Sequence, residues 1–414
     1  MKDSGVEWIG EIPCDWKLER SQWHLEEVNI SNNPIQTNNV LSLTNKLGVV
    51  PYKEKGNQGN KSKENVHEYK LAYPNTIVAN SMNILIGSVG LCDYFGCVSP
   101  VYYVFRAKKY NNIKFLNYVF QTVGFQRELR KYANGILEIR LRVSSSDILK
   151  RFIPFPSEIE QQRIAEFLDR ECGKIDGMKA DIQAQIDTLE QYKRSIITEA
   201  VTHGLNPSAP MKDSGIPWVG QFPTHWTKKK GKYILRYMSK PVKQDDGVIT
   251  CFRDGEVTLR SNRREDGFTM ADKEIGYQGV DVGDLVVHGM DGFAGAIGIS
   301  DSRGKASPVL NVLNTKQNKK YIMYYLRSMA YGEVFTALST GIRVRSCDLR
   351  WNKLAELLYP LPPIDEQNNI VNYIDEQIAR TNEIIADKKL QIETLDGYKK
   401  SLIFEYVTGK KEIV

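Results

Sequence analysis

The sequence predicts a mixed α/β protein of the α+β class, in which two globular domains are separated by a long antiparallel two-helix coiled coil. Three observations lead to this prediction. The chain of 414 residues repeats its own landmarks, each copy contains one long segment with heptad periodicity, and the rest of each copy alternates short apolar runs with turns. The two copies are expected to be related by an internal pseudo-two-fold axis.

The internal repeat begins at the first residue. The pentapeptide MKDSG at positions 1–5 recurs at 211–215, an offset of 210 residues, and QIDTL at 185–189 is matched by QIETL at 391–395, an offset of 206. A solenoid repeat has a period of about 20 to 50 residues, so this longer period indicates a duplicated domain with its connector. The other landmarks that recur near the start are Trp8, Gly10, Pro13 and Trp16.

Each copy opens with a predicted globular domain that contains a sheet and a helix. Short apolar runs bounded by turn residues are typical of strands. Helical segments follow near residues 115–132 and 321–338, which favours a mixed domain over an all-β one. The predicted strands are 76–79, 84–86, 101–105, 284–287 and 296–299.

Proline-rich segments end both globular domains. Residues 153–156 (IPFP) and 360–363 (PLPP) are expected to continue neither a helix nor the interior of a strand, so they mark the domain boundaries. Gly204 is the matching stop signal after the first long helix. The predicted domains are residues 1–155, 156–206, 207–362 and 363–414.

The two long helices are predicted from their apolar spacing. From about residue 158 to 202 the sequence has no proline, and apolar residues recur with a period of 3.5, which is typical of a coiled coil. A single amphipathic helix packed on its own domain is the alternative, but a helix of ~67 Å exceeds a compact domain. The predicted interface residues are Leu168, Ile175, Ile182, Ile186, Leu189, Ile196, Ile374, Ile378, Ile385, Ile392, Leu395 and Leu402.

The composition is that of an ordinary globular protein, with 41% hydrophobic and 26% charged residues. No apolar run reaches the ~18 residues of a membrane span, and the first residues are unlike a signal peptide, so a cytoplasmic protein without a membrane partner is expected. The six cysteines form no C-x-x-C pair, and the sequence offers no zinc ligand set. The net charge of +6 mildly favours polyanionic partners.

Basic residues in two polar loops, and just before each proline segment, are candidates for contact with DNA. Lysine and arginine neutralise phosphates, and arginine also pairs with base edges. A solvated basic surface is the alternative for every one of them. The candidates are Lys53, Lys55, Lys61, Arg253, Arg260, Arg263 and Arg264 in the loops, and Arg140, Arg142, Arg343 and Arg345 before the proline segments.

Recognisable catalytic motifs are missing from the sequence. The glycine-containing segments 87–90 and 292–295 are better explained by tight turns between strands than by a nucleotide-binding loop. The sequence has no G-x-x-x-x-G-K-[ST] motif, no convincing nuclease carboxylate cluster and no N-P-P-[YF] tetrapeptide of an adenine methyltransferase. We therefore expect a chain without a catalytic, metal or cofactor site of its own.

The repeated motifs resemble those of the specificity subunits of type I restriction-modification systems. The resemblance rests on the opening K-D-S-G-x-x-W-x-G-x-x-P-x-x-W, on E-Q-x-x-I at 160–164 and 366–370, and on the two-copy layout, and it covers essentially the whole chain. In that family two target-recognition domains each read half of a bipartite DNA site, and two helices form an antiparallel coiled coil that spaces them. The motifs lie in the conserved regions, so they assign no base-contacting residue.

The resemblance also implies partners for this chain. They are double-stranded DNA, two modification subunits that use S-adenosylmethionine to methylate adenine, and restriction subunits that use ATP and Mg²⁺. It further implies that the long helices and the proline segments dock the modification subunits. The chain itself is then a non-catalytic subunit, and the assembled complex is the nuclease and methyltransferase. Two alternatives stay open: a self-sufficient restriction and methylation enzyme, and a coiled-coil scaffold that does not read DNA.

Overall fold

The described part of the computed structural model forms two compact units. Unit 1 comprises Met1–Ile182 with Lys389–Val414, and unit 2 comprises Gln183–Lys388. The boundary between the units therefore passes through each long helix rather than at its ends. The described residues are 1–44, 48–55, 65–108, 111–135, 141–263, 275–338 and 349–413.

Unit 1 is built around a four-stranded sheet. Its strands are β1 (Lys2–Asp3), β2 (Glu11–Ile12), β3 (Lys17–Arg20), β4 (Leu25–Glu27), β5 (Leu41–Thr44), β6 (Gly48–Pro51), β7 (Lys70–Ala72), β8 (Thr76–Asn80), β9 (Val89–Cys92), β10 (Gly96–Val98), β11 (Tyr102–Ala107) and β12 (Phe152–Phe155). Its helices are α1 (Ile113–Gln121), α2 (Val123–Arg130), α3 (Ser145–Leu149) and the first part of α4 (Glu158–His203).

The sheet of unit 1 is antiparallel, with the strand order β4, β11, β8, β9. All five residues of β8 are buried. Ile77 and Ala79 face the cluster that contains α1, whereas Val78 faces a second cluster with β5 and β6. Because successive side chains of a strand point to opposite faces, this central strand is covered on both sides.

Unit 2 repeats this arrangement. Its elements are the last part of α4, β13 (Met211–Asp213), β14 (Gln221–Pro223), β15 (Thr227–Lys230), α5 (Gly231–Ile234), β16 (Leu235–Tyr237), β17 (Ile249–Cys251), β18 (Val257–Leu259), β19 (Gln278–Val280), β20 (Leu285–His288), β21 (Ile297–Ile299), β22 (Gly304–Ala306), β23 (Leu310–Thr315), α6 (Lys319–Tyr331), α7 (Val334–Ala337), α8 (Trp351–Glu356), β24 (Leu358–Leu361) and the first part of α9 (Ile364–Val407). Its sheet has the order β16, β23, β20, β21 and matches that of unit 1 strand for strand. The sequence repeat therefore corresponds to a repeated fold.

Helices α4 and α9 run antiparallel within each unit. In unit 1, Lys399 binds Asp176 at 2.6 Å and Lys179 binds Asp396, so residue numbers rise along one helix as they fall along the other. In unit 2, Lys193 binds Asn382 at 2.8 Å and Lys388 binds Gln185. Each unit thus contains the start of one long helix and the end of the other. The prediction of a mixed fold with two long antiparallel helices is confirmed.

Apolar residues of the predicted interface lie inward along both helices. None of the twelve is exposed. Four lysines interrupt the apolar spacing, and each binds a polar side chain of the other long helix, so its ammonium group is hydrogen-bonded beside the apolar interface. They are Lys179, Lys193, Lys388 and Lys399. The buried interface residues are Leu168, Ile175, Ile186, Ile196, Ile374, Ile385 and Leu402, and the half-buried ones are Ile182, Leu189, Ile378, Ile392 and Leu395.

Three predictions of local structure are wrong. Residues 84–86, predicted as a strand, belong to the 3-10 helix Asn83–Ile86, which ends at Gly87 in the left-handed conformation. An apolar triplet has no periodicity that separates a strand from a buried turn. The helix predicted over 115–132 is two helices, because the Thr122 side chain caps α2 by accepting a hydrogen bond from the Phe125 N–H. The helix predicted over 321–338 is also two helices, because Glu333 adopts the left-handed conformation between α6 and α7.

The proline segments also differ from expectation, because both contribute to strands. Pro154 lies inside β12 opposite Leu18, and Pro360 lies inside β24 opposite Lys228. Among the described strands, β12 is paired with β3 alone and β24 with β15 alone. A strand with a free edge tolerates a residue that has no N–H to donate, which explains why the prediction that prolines exclude a strand is wrong here.

Candidate nucleic-acid interface

The strand orders are β4, β11, β8, β9 in unit 1 and β16, β23, β20, β21 in unit 2. In each sheet a tight turn joins the last two strands of that order. We call residues 80–87 and 288–295 the central turns; they lie between β8 and β9 and between β20 and β21. Each contains a short 3-10 helix that ends at a glycine, and Gly87 and Gly295 have φ angles of 90° and 96°. This conformation strains other residues, so glycine allows the chain to turn directly into the next strand.

The side chain that opens each central turn caps it. Asn80 Oδ1 accepts hydrogen bonds from the backbone N–H groups of Met82 at 3.0 Å and Asn83 at 3.4 Å. In unit 2, His288 Nδ1 accepts from Met290 at 3.2 Å and Asp291 at 2.9 Å. Asparagine and histidine thus perform the same structural task at equivalent positions, and both turns are held rigidly.

The chain bonds to each central turn just after the arginines that were predicted, before the proline segments, to contact DNA. The Val143 N–H donates to the Ser81 carbonyl at 3.0 Å, and the Leu349 N–H donates to the Gly289 carbonyl at 2.8 Å. Two exposed arginines flank these anchor points, Arg142 before Val143 and Arg350 after Leu349. A rigid turn with exposed cations beside it is suited to contact a nucleic acid.

The central turn of unit 2 carries an exposed ion pair. Arg253, from the β17–β18 hairpin, donates from one guanidinium nitrogen to Asp291 Oδ1 at 2.9 Å, and the two side chains are 64% and 37% exposed. Met290 beside them is 55% exposed. His288 lies mostly buried below the pair, and its burial lowers the pKa of the imidazole.

The other basic candidates have varied surroundings. Arg263 is bound by Asp254 at 2.8 Å and Glu256 at 3.0 Å, so its charge is neutralised within the hairpin. Arg260 donates to the Thr250 hydroxyl at 3.3 Å. Lys53 and Arg142 are exposed. The candidates Lys61, Arg140, Arg264, Arg343 and Arg345 lie outside the described residues.

Lys55 departs most from what a phosphate contact requires. It is only 6% exposed, and its ammonium group lies 4.3 Å from the centre of the Tyr52 ring. Nothing in the sequence indicates the burial of Lys55, because lysine in a charged loop is normally solvated.

Sequence reasoning missed His288, Met290, Asp291 and Arg350. The available signal was an internal alignment with an offset of 208 residues, which pairs Met82 with Met290 and Asn80 with His288. Within the described ranges, no group of three or more histidine, cysteine, aspartate or glutamate side chains has the arrangement of a metal site. No described helix is both long and apolar enough to span a membrane.

Comparison with known proteins gives consistent results. Residues 24–188 match the family model of the type I restriction modification DNA specificity domain. Over 320 residues the chain is 18% identical to the type I restriction enzyme StySPI specificity subunit of Salmonella potsdam, a match that spans 74% of this chain and 67% of that protein.

One of the solved structures similar to this chain shares its fold. A chain from a study of complex assembly and conformational transition of the type I R-M system superposes with a TM-score of 0.67 at 12% identity, covering 97% of this chain and 100% of that one. The HsdS subunit from Thermoanaerobacter tengcongensis matches with a TM-score of 0.49 at 13% identity, over 99% and 100% of the two chains.

Proposed function

We propose that this chain is a specificity subunit of a type I restriction-modification system, as its similarity to that family supports, and that each of its two units reads one half of a bipartite DNA site. The observation that carries the proposal is the pair of equivalent central turns with unlike exposed side chains. A duplicated scaffold supplies two readers of the same geometry, while residues such as Asn83 and Asp291 give them different chemistry. Two unlike half-sites follow from this arrangement.

We further propose that α4 and α9 set the gap between the half-sites. The helices are 46 and 44 residues long, and polar pairs fix their register in both units. Lys193 with Asn382 and Lys399 with Asp176 are equivalent pairs, since 206 residues separate Lys193 from Lys399 and Asp176 from Asn382. A fixed register gives the defined length that a spacer needs.

The outer surfaces of the long helices support the docking of two identical modification subunits. Met178 and Ile384 are equivalent in the repeat and both 47% exposed, and Tyr192 and Tyr398 are 51% and 55% exposed. Exposed apolar side chains at repeat-related positions offer the same surface twice, which suits two copies of one partner. S-adenosylmethionine, ATP and Mg²⁺ are assigned to the modification and restriction subunits, and this chain contributes recognition and assembly.

Mapping of methylated adenines in cells that express the complete system tests the proposal. We expect methylation at a single two-part sequence with a fixed gap. A single uninterrupted methylated sequence would refute it. Methylation or cleavage of DNA by the isolated chain with Mg²⁺ and S-adenosylmethionine would instead support a self-sufficient enzyme. An assembled complex that shows no salt-dependent affinity for DNA would support a scaffold that does not read DNA.

A further inference from the structure

The exposed Arg253–Asp291 pair has hydrogen-bonding groups that its own bond does not use. Its bond uses one of the five N–H donors of the guanidinium. The second carboxylate oxygen, Asp291 Oδ2, is 3.9 Å from His288 Nε2, which is too long for a hydrogen bond. The pair therefore presents several donors and an acceptor side by side.

That pattern matches one base pair. In the major groove, guanine offers two acceptors, O6 and N7, to which arginine binds with two parallel hydrogen bonds. The cytosine N4 amino group is a donor, and aspartate accepts from it. Guanine O6 and cytosine N4 bind each other in the Watson–Crick pair, so they lie next to each other, as do the guanidinium and the carboxylate here.

We propose that Arg253 and Asp291 together read one guanine–cytosine base pair in the half-site of unit 2. This assignment rests on the proposed function and gives it a specific base. His288 is a positioning residue in this site, because its Nδ1 holds the backbone N–H of Asp291 at 2.9 Å. The equivalent position in unit 1 is Asn83, whose amide has no charge and matches adenine instead.

Exposed ion pairs contribute little to folding, so loss of this pair tests recognition rather than stability. We would express the complete system with Arg253→Ala, Asp291→Asn and the unaltered chain, and map methylated adenines across the genome. Glu356→Gln is the matched control, since it neutralises another exposed carboxylate of unit 2 that binds cations, Lys230 at 2.7 Å and Lys232 at 2.8 Å. Thermal melting of each purified chain checks folding.

Both variants of the pair should lose the preference for guanine–cytosine at the same position, and in one half-site only. The preference for that base pair should fall roughly 5- to 150-fold, with the other half-site and the gap unchanged. Glu356→Gln should keep the original sequence. Variants that methylate only the original sequence, even to a lower extent, or that relax an adenine–thymine position, would overturn the assignment. If the unaltered chain gives no two-part sequence, the proposed function fails instead.

Discussion

The side-chain oxygen of Gln161 accepts a hydrogen bond from the backbone N–H of Asn112 at 3.1 Å. Its amide nitrogen donates to the Pro156 carbonyl at 3.1 Å, and Gln161 is completely buried. Gln367 makes the equivalent bonds in unit 2, to Asn318 at 3.0 Å and Pro362 at 2.9 Å. The glutamine of the repeated E-Q-x-x-I motif thus joins the proline segment, the start of the long helix and the helix that covers the sheet.

Replacement of this glutamine should destabilise the protein. Gln161→Ala removes both bonds and leaves the Asn112 N–H and the Pro156 carbonyl unpaired in the interior, so the free energy of unfolding should fall by about 1 to 3 kcal/mol for each group left unsatisfied. Urea denaturation measures this loss. Gln183→Ala is the control, because Gln183 is exposed and its loss should cost no more than about 0.5 kcal/mol. Equal losses in the two variants would contradict the role of the motif.

The repeat motifs were readable from the sequence because they perform local structural tasks. Asp3 Oδ1 accepts from the Gly5 N–H at 2.9 Å, and Asp213 Oδ1 accepts from the Gly215 N–H at the same distance. Such turns depend on residue type at fixed short spacing, which a sequence displays directly. The long helices were predictable for a similar reason, since a heptad pattern is local.

The candidate interface was less predictable because its contacts are not local. Arg253 and Asp291 are 38 residues apart, and nothing near either residue in the sequence indicates the other. Lys55 was expected to be solvated, and only the fold brings the Tyr52 ring over its ammonium group. Charge alone therefore did not separate an exposed arginine, such as Arg253, from one, such as Arg263, that two carboxylates hold.

Acidification should lower the stability of unit 2 because of His288. Its Nδ1 must stay unprotonated to accept two backbone N–H groups, and burial lowers the pKa of the imidazole. The unfolded chain then binds a proton more readily than the folded one, so stability is complete above the ordinary histidine pKa of about 6.5 and declines as the pH falls below it. Urea denaturation between about pH 8 and pH 5.5 follows this loss.

His288→Asn is the informative variant for this test. Asn80 caps the equivalent turn in unit 1 with an oxygen that does not titrate. The variant should therefore fold as stably as the unaltered chain at pH 8 and lose less stability on acidification. An identical pH profile for the two proteins would show that His288 does not carry the effect.

The register of the long helices can be tested by charge reversal at Asp176 and Lys399. Their ion pair is 2.6 Å long, and the side chains are 54% and 25% exposed. Lys399→Glu should lower the free energy of unfolding by about 0.5 to 1 kcal/mol, because it places two negative charges together. The double variant Asp176→Lys with Lys399→Glu should recover most of that loss in urea denaturation.

Asp176→Lys combined with Lys193→Glu is the mismatched control for this charge-reversal experiment. Lys193 is the repeat equivalent of Lys399, but its partner on the other long helix is Asn382. This combination should recover none of the lost free energy of unfolding. Recovery there, or its absence in the matched pair, would contradict the antiparallel register.

Lengthening both long helices should lengthen the gap between the half-sites. We would insert one heptad after Ile182 and another after Lys388, the two points at which the chain passes from one unit to the other. Seven residues preserve the 3.5-residue spacing of the interface. Seven helical residues add about 10.5 Å, which corresponds to about three base pairs at 3.4 Å each. Mapping of methylated adenines should then give the original half-sites with a gap about three base pairs longer. Because the insertion changes no residue of either central turn, altered half-sites would mean that the helices do more than space the readers, and an unchanged gap would exclude them as the spacer.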